Sequence, residues 1–174
     1  GMAVVWGTVK DHSGYINLES SQGQGTRFTI YLPATSREAF AETATIDLQS
    51  LRGRGEKVLV VDDIAEQRDL ARGMLLYLGY EAHVATSGEH ALALLGEHSC
   101  DLVLLDMIMD PGMDGLDTYR KILKTHPGQK ALIASGYSET DRVKEAQRLG
   151  AGMYLKKPYT LETLAAAVRE ELDR

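Results

Sequence analysis

Five polar side chains of this sequence stand where short apolar runs end. Asp62 and Asp63 close KVLVVDD, Asp106 closes DLVLLD, Ser135 closes KALIAS and Lys157 closes MYLKK. Three carboxylates gathered in a partly desolvated cleft repel one another, and a divalent cation relieves that repulsion. Oxygen ligands favour Mg²⁺, which keeps several waters and accepts one or two carboxylates. The set therefore predicts a magnesium site beside a carboxylate nucleophile.

The same residue types suit phosphoryl transfer. Asp106 would accept the phosphoryl group as an acyl phosphate, while Ser135 would donate a hydrogen bond to a phosphoryl oxygen. Lys157 would supply a compact positive charge that pairs with Asp106 at rest. Each residue alone has a plainer explanation, because an aspartate at a strand end often caps the next helix, and serine or lysine there is often a turn or surface residue. Their joint occurrence at successive strand ends favours the chemical interpretation.

The elements that must hold these residues alternate between strands and helices. From Lys57 onward, five apolar runs predict strands, and each is followed by a segment with helical periodicity. In the first of these helices, Leu70, Met74 and Leu78 are spaced for one apolar face. The alternation predicts an α/β fold with parallel strands, right-handed crossovers and helices on both faces of the sheet. Ligands of such sheets bind at the carboxyl ends of the strands, where the five polar residues stand.

The first 33 residues have a different pattern. An apolar helical face, ended by Gly14 as a C-cap, precedes YINLES and TRFTIYL, which alternate as a hairpin around SQGQG. One helix and two strands bury too little apolar surface to be stable alone. We therefore expect Trp6, Phe28 and Ile30 to pack on the rest of the chain or on a second copy, or the segment to be disordered. Residues 34–56 predict a linker that ends in a flexible RGRG.

Composition narrows the classes of function. The chain has 174 residues, a formal net charge of −6 and one cysteine, Cys100. The acidic balance argues against nucleic acid as a partner, and a single cysteine excludes a disulfide framework or a multi-cysteine metal site. No apolar run approaches the length of a membrane span, so we expect a cytoplasmic protein without direct membrane insertion. A membrane-anchored parent protein stays compatible with this pattern.

Residues 57–174 resemble the receiver domain of response regulators. The matching motifs are VLVVDD, DLVLLDMIMDPGMDG, LIASG and YLKKP, in that family's order and spacing. The resemblance implies a flavodoxin-like (βα)5 doubly wound sheet with strand order 2-1-3-4-5. It implies that Asp106 accepts the phosphoryl group of a phosphohistidine, carried by a histidine kinase or a histidine-phosphotransfer domain. It also implies Mg²⁺ ligation at Asp106, directly by Asp63, largely through water by Asp62, and by the backbone carbonyl of Ile108.

The resemblance extends to residues that switch partner binding. Ser135 matches the family's switch hydroxyl, and Tyr154 matches the aromatic residue that turns inward when that hydroxyl moves. Lys157 matches the lysine that precedes a cis-like proline. Members of the family commonly associate through their fourth helix, fifth strand and fifth helix, so a homodimer through that face is one expectation for this chain.

One departure from the family pattern lies directly after the phosphoacceptor. Asp110 adds a residue to the loop, so that the proline comes one position late. We interpret it as a solvated loop acid without a metal role. Ile108 and Tyr137 occupy the two positions at which the family tunes attack by water. Both side chains are bulky, which predicts slow self-dephosphorylation.

Residues 1–33 resemble the last part of the ATP-binding domain of histidine kinases. The resemblance rests on a helix followed by a hairpin that closes on GTRFTIYLP. It implies a hybrid sensor kinase as the parent, with the receiver fused C-terminally. The nucleotide-binding segments and the phosphorylated histidine are absent from this sequence, so we expect no ATP binding or kinase activity from it. The fragment is also a second candidate surface for a homodimer.

Two other functions compete with a signalling phosphoacceptor. The first is a receiver-fold interaction module that is never phosphorylated; clustered, mutually repelling acids argue against it. The second is a metabolic aspartyl-phosphate hydrolase, which typically has a general-acid aspartate two residues after the nucleophile. Ile108 stands at that position. Whether the chain counts as an enzyme stays open, because a receiver catalyses only its own phosphotransfer.

Overall fold

The structure, a computed structural model, describes residues 2–34, 47–136 and 141–174. The chain divides into two compact units, Gly1–Thr45 and Ile46–Arg174. No helix in the part of the chain that is described is both long and apolar enough to cross a membrane.

The first unit is a helix followed by a two-stranded antiparallel sheet. Its elements are α1 (Met2–Asp11), β1 (Tyr15–Ser21) and β2 (Gly25–Tyr31). The predicted C-cap is wrong in one respect, because the left-handed residue after α1 is Ser13, with φ +55°, and not Gly14. Gly14 is required for a different reason: a Cβ there would lie 2.7 Å from the carbonyl oxygen of Tyr31.

This first unit buries little apolar surface. Val9 and Ile16 are buried, whereas Trp6, Phe28 and Ile30 are each about half exposed. A helix and one hairpin cannot cover both faces of the sheet, so large side chains stay accessible. The expectation that these side chains pack on another surface stays a prediction.

The second unit is a five-stranded parallel sheet with helices on both faces. Its elements are β3 (Lys57–Val61), α2 (Ala65–Tyr77), β4 (Glu81–Ala85), α3 (Gly88–Glu97), β5 (Leu102–Asp106), α4 (Gly115–Thr125), β6 (Lys130–Ser135), α5 (Asp141–Arg148), β7 (Tyr154–Lys156) and α6 (Leu161–Asp173). The strand order is β4-β3-β5-β6-β7, with all neighbours parallel. Counted from the first strand of this sheet, that order is 2-1-3-4-5, so the predicted flavodoxin-like topology is confirmed.

Each face of this sheet carries its own apolar core. One core includes Leu105 and Ile133, and the other includes Val60 and Leu104, as alternate residues of a strand point to opposite faces. The central strands β5 and β6 are therefore apolar almost throughout. The edge strand β4 instead combines two buried alanines, Ala82 and Ala85, with exposed Glu81 and His83.

The buried face of α2 differs from the predicted one. Ala71, Leu75 and Leu78 are buried, whereas Leu70 is 57% exposed. Of the predicted face Leu70, Met74 and Leu78, Leu78 is buried and Met74 packs partly buried against the core, so the prediction is wrong at Leu70. The small side chain of Ala71 lies at the position that faces the sheet, where the larger leucine was expected.

The second unit begins before Lys57. Leu48 and Leu51 pack against the core beneath α2, and the phenolic oxygen of Tyr80 donates to the carbonyl of Leu51 at 2.8 Å. The backbone N–H of Gly53 donates to the carbonyl of Leu78 at 2.9 Å. The last part of the expected linker, residues 47–56, thus belongs to this unit in the structure.

Candidate functional site

The three aspartates singled out from the sequence lie together at the carboxyl edge of the parallel sheet. Asp62 and Asp63 directly follow β3, and Asp106 ends the adjacent strand β5. One carboxylate oxygen of each lies within 4.8 Å of the others. Asp62 and Asp106 are only 4% and 6% exposed, so their charges are largely withdrawn from water. The parallel pairing of β3 and β5 produces this convergence.

One lysine faces two of these carboxylates. The Nζ atom of Lys157 lies 2.6 Å from Oδ2 of Asp62 and 3.1 Å from Oδ2 of Asp106. The backbone N–H of Lys157 donates to the carbonyl of Ser135, which holds the lysine beside the end of β6. Burial raises the pKa of Asp106, Lys157 opposes that rise, and the charge of Asp62 adds to it, so the pKa stays above its usual value. A single ammonium does not neutralise three acids.

The two neighbouring aspartates differ in how their oxygens are used. Both oxygens of Asp62 are engaged, because Oδ1 accepts from the backbone N–H of Ile64 at 2.9 Å and Oδ2 accepts from Lys157. Asp63 accepts a hydrogen bond on Oδ2 from the backbone N–H of Asp110, at 3.3 Å. Its Oδ1 is buried and has no hydrogen-bond partner among the residues that the structure describes.

A buried carboxylate oxygen without a partner is costly, and a bound cation removes that cost. Asp63 is one of the three members of the cluster, in which one carboxylate oxygen of each residue lies within 4.8 Å of the others. An all-oxygen, net negative donor set of this kind suits a hard divalent cation such as Mg²⁺. The residues present therefore fit the predicted metal.

The two predicted switch residues are neighbours. Ser135 is buried at the end of β6, and Tyr154 begins the adjacent strand β7. The phenolic oxygen of Tyr154 donates to the backbone carbonyl of Ser135 at 3.1 Å, and the tyrosine ring is half-buried against the core. The peptide bond between Lys157 and Pro158 is cis. Tyr154 is thus in direct contact with Ser135, and a movement of Ser135 would act on the tyrosine directly.

The residues after Asp106 approach the phosphoacceptor closely. The side chain of Ile108 is 51% exposed beside the site, and its backbone N–H interacts with the Asp106 carboxylate. Tyr137, the other position expected to exclude water, lies outside the described residues, so slow self-dephosphorylation stays a prediction. Gly115 must lack a side chain, since a Cβ there would lie 2.8 Å from Cα of Met107.

Two further residues border the site without having been found from the sequence. The guanidinium of Arg68 donates to the backbone carbonyls of Asp62, at 2.8 Å, and Asp63, at 3.4 Å. Tyr159 has its pKa raised to about 12 by burial and by the charges of Asp62 and Asp106. The sequence gives only their positions as a signal. Arg68 lies within one or two helical turns of the acid pair, and Tyr159 directly follows Lys157 and Pro158.

A comparison with protein families decides the identity of this arrangement. Residues 58–169 match the model of the response regulator receiver domain. The chain belongs to that family. Receiver domains are signalling modules of two-component systems, and the carboxyl-edge acids of this receiver stand where sequence analysis placed the family's phosphoacceptor site.

Similar proteins include both single receivers and large kinases. The receiver and the segment before it are 33% identical to the sensor kinase CckA of Brucella abortus, over 100% of this chain and 19% of that protein. The aerobic respiration control sensor protein ArcB of Escherichia coli is 31% identical, over 99% of this chain and 22% of ArcB. Sporulation initiation phosphotransferase F of Bacillus subtilis is 33% identical, over 67% of this chain and 94% of that protein. The chain spans only about a fifth of the two kinases that it matches.

Solved structures support the fold independently. The receiver domain of NtrX from Brucella abortus superposes with a TM-score of 0.64 and 32% identity, over 67% of this chain and 98% of that one. A CheY-like receiver domain protein from Methanospirillum hungatei JF-1 gives a TM-score of 0.64 and 28% identity, over 68% of this chain and 94% of that one. Both matches cover nearly the whole of the solved receiver chain.

Proposed function

We propose that this chain acts in two-component phosphorelay signalling by accepting a phosphoryl group from a phosphohistidine onto Asp106, with Mg²⁺ bound at the carboxyl edge of the sheet. The observation that carries the proposal is the buried cluster of three carboxylates and one lysine, in which Oδ1 of Asp63 has no partner among the described residues. A structural ion pair would leave no such oxygen.

In this proposal the carboxylate of Asp106 attacks the phosphorus atom of the donor. A bond forms between the aspartate oxygen and phosphorus, the phosphorus–nitrogen bond breaks, and its electron pair returns to the imidazole of the donor. Bound Mg²⁺ would neutralise charge on the transferring phosphoryl oxygens. Lys157, already 3.1 Å from the Asp106 carboxylate, is within reach to stabilise the same charge.

The hydrogen bonds suggest how the two leading aspartates would divide metal binding. Both oxygens of Asp62 already accept hydrogen bonds, which suits contact with Mg²⁺ largely through water. Asp63 offers a buried oxygen that suits direct ligation. We propose the backbone carbonyl of Ile108 as the third protein ligand, following the family pattern.

The proposed output is a change in partner affinity. The hydroxyl of Ser135 would donate to the phosphoryl group on Asp106, and Tyr154 would follow because it donates to the backbone carbonyl of Ser135. A groove lined by Gln67, Leu70, Lys157, Pro158 and Tyr159 opens beside the lysine. We propose that a histidine kinase or histidine-phosphotransfer domain docks there, which accounts for the exposed Leu70 on α2.

The proposed parent is a hybrid sensor kinase, and the proposed location of this receiver is the cytoplasm. The alignments to CckA and ArcB extend over residues 1–33 as well as the receiver, which supports interpreting this segment as the end of an ATP-binding domain. We propose residues 57–174 as the receiver and 34–56 as the connection, of which the last ten residues, 47–56, lie in the same compact unit as the receiver. A homodimer through the exposed apolar side chains of residues 1–33, or through α5, β7 and α6, is part of the same proposal.

The direct test is intact-protein mass spectrometry after incubation with Mg²⁺ and acetyl phosphate, beside an Asp106→Asn variant. One phosphoryl adduct on the wild type, lost in the variant and without Mg²⁺, is the expected result. Absence of any adduct on a protein that binds Mg²⁺ would favour an interaction module that is not phosphorylated.

A further inference from the structure

The loop between β5 and α4, residues 107–114, orients the metal ligand Asp63. Met107 and Met109 anchor the start of the loop, because both side chains are buried in one of the two cores. The backbone N–H of Asp110 then donates to Oδ2 of Asp63. With Oδ2 held in this way, Oδ1 is the oxygen left for a cation. The position of the Asp110 amide therefore matters for the site.

The far side of the same loop rests against Glu89 in the first turn of α3. A Cβ built on Gly112 would lie 3.4 Å and 3.5 Å from the two carboxylate oxygens of Glu89, so that carboxylate lies directly against the loop backbone. Gly112 has φ +129°, a conformation that favours glycine. The pKa of Glu89 is lowered by its own backbone N–H, by the Ser87 hydroxyl and by the backbone N–H of Met113.

The start of α3 is a fixed support for this contact. Ser87 caps the helix by accepting a hydrogen bond from the backbone N–H of His90. Gly88 packs so closely on α4 that a Cβ there would collide with Oγ1 of Thr118 and lie 3.3 Å from Cβ of Met113. Glu89 is thus presented by a backbone that cannot easily move away from the loop.

We propose that Glu89 is a positioning residue, which fixes residues 110–113 and thereby keeps the Asp110 amide on Asp63, with Oδ1 directed into the metal site. The inference rests on the proposed function and deepens it. Glu89 is not a member of the acid cluster, so it acts through the loop. The extra residue of this loop makes such a support necessary, because a longer loop has more backbone freedom to restrict.

The experiment compares Glu89→Ala and Glu89→Gln with the matched control Glu162→Ala. Glu162 stands in the first turn of α6 and has the same local setting, a carboxylate whose pKa is lowered by the N-cap hydroxyl of Thr160 and by its own backbone N–H. The groups that lower its pKa all belong to the start of its own helix, whereas Met113, which acts on Glu89, belongs to the loop. Two readouts are needed: amide hydrogen exchange of residues 107–114 in metal-free protein, and the Mg²⁺ dissociation constant from calorimetry.

Glu89→Ala is expected to speed exchange in the loop and to weaken Mg²⁺ binding about tenfold, the lower end of the effect of outer-shell partners on metal affinity. Glu89→Gln should keep most of the protection of the loop from exchange and most of the Mg²⁺ affinity. The reason is that the amide carbonyl oxygen of glutamine can still accept from the backbone N–H of Met113. Glu162→Ala should change neither. Equal behaviour of Glu89→Ala and Glu162→Ala, with wild-type Mg²⁺ binding intact, would overturn the inference alone. A wild type that binds no Mg²⁺ would overturn the proposed function itself.

Discussion

Two groups of charged side chains in the described part of the receiver are each built around a largely buried cation, and they differ in whether every carboxylate oxygen has a hydrogen-bond donor. The acid cluster is Asp62, Asp63, Asp106 and Lys157, at the carboxyl edge of the sheet. The arginine cluster is Glu56, Arg169 and Asp173, which ties the entry of β3 to α6. Both place carboxylates against a single, largely buried cation.

In the arginine cluster every carboxylate oxygen has a donor. Arg169 reaches Oε1 of Glu56 at 2.6 Å and both oxygens of Asp173, at 2.8 Å and 2.9 Å, and the backbone N–H of Arg54 donates to the remaining oxygen of Glu56. In the acid cluster one oxygen of Asp63 lacks a donor among the described residues. The comparison teaches that a buried carboxylate oxygen without a hydrogen-bond donor indicates a ligand site, and that burial of charge by itself does not.

Asp63→Asn is expected to have the largest effect. It replaces one carboxylate oxygen with an amide group, which removes the charge on the proposed direct ligand, so Mg²⁺ affinity should fall at least about 100-fold. Calorimetry measures this directly. Asp173→Asn in the arginine cluster is the matched control and should leave Mg²⁺ affinity unchanged. Equal Mg²⁺ affinities for the Asp63→Asn protein and the wild type would remove Asp63 from the metal site.

Arg169→Met tests the other cluster. Fully buried pairs cost about 3–5 kcal/mol when one partner is removed, and the partial exposure of Glu56 and Asp173 lowers the expected loss to about 2 kcal/mol. Urea unfolding measures the change in free energy. Phosphorylation by acetyl phosphate should persist in the folded variant. A variant that keeps its stability but cannot be phosphorylated would contradict the division between the clusters.

Acid pH should weaken the arginine cluster through Glu56. Burial would raise the pKa of this carboxyl, but hydrogen bonds from Arg169 and the Arg54 amide outweigh it and lower the pKa. Ionised Glu56 therefore stabilises the fold above its unfolded pKa near 4.5, and that contribution is lost as pH falls through the lower folded value. Unfolding free energy measured across this window should fall less steeply for Glu56→Gln than for wild type. Parallel curves would show that Glu56 carries no such linkage.

Asp110→Asn is expected to have the smallest effect. The side chain is exposed, and the contact with Asp63 comes from the backbone N–H, which the substitution keeps. Mg²⁺ affinity should change by less than about twofold, since a solvated charge beside the site is largely screened. A loss comparable to that of Asp63→Asn would make the Asp110 carboxylate a metal ligand.

The sequence was informative where chemistry depends on strand ends. The sequence predicts that Asp62, Asp106 and Lys157 lie together because parallel strands end at one edge, and their separations in the structure agree with that placement. Strand order was implied by the family resemblance and is confirmed. These features follow from the alternation of strands and helices and from motifs that can be recognised in the sequence without knowledge of packing.

Features that depend on packing between distant segments were not predictable. The buried stripe of α2 falls on Ala71 and Leu75 because of how the helix lies on the sheet, while helical periodicity alone allowed Leu70. The contact of Glu89 with Gly112 joins the first turn of α3 to a loop residue 23 positions further along the chain. Periodicity reports which residues share a face, but it does not report which neighbour covers them.

The most direct measurement locates the phosphoryl group itself. Borohydride reduction of an aspartyl phosphate converts that residue to homoserine, and peptide mass spectrometry then identifies the modified position. After treatment with acetyl phosphate and Mg²⁺, the account predicts homoserine at Asp106 and at no other aspartate of the acid cluster or its loop. Homoserine at Asp62, Asp63 or Asp110, with Asp106 unmodified, would contradict the assignment of Asp106 as phosphoacceptor.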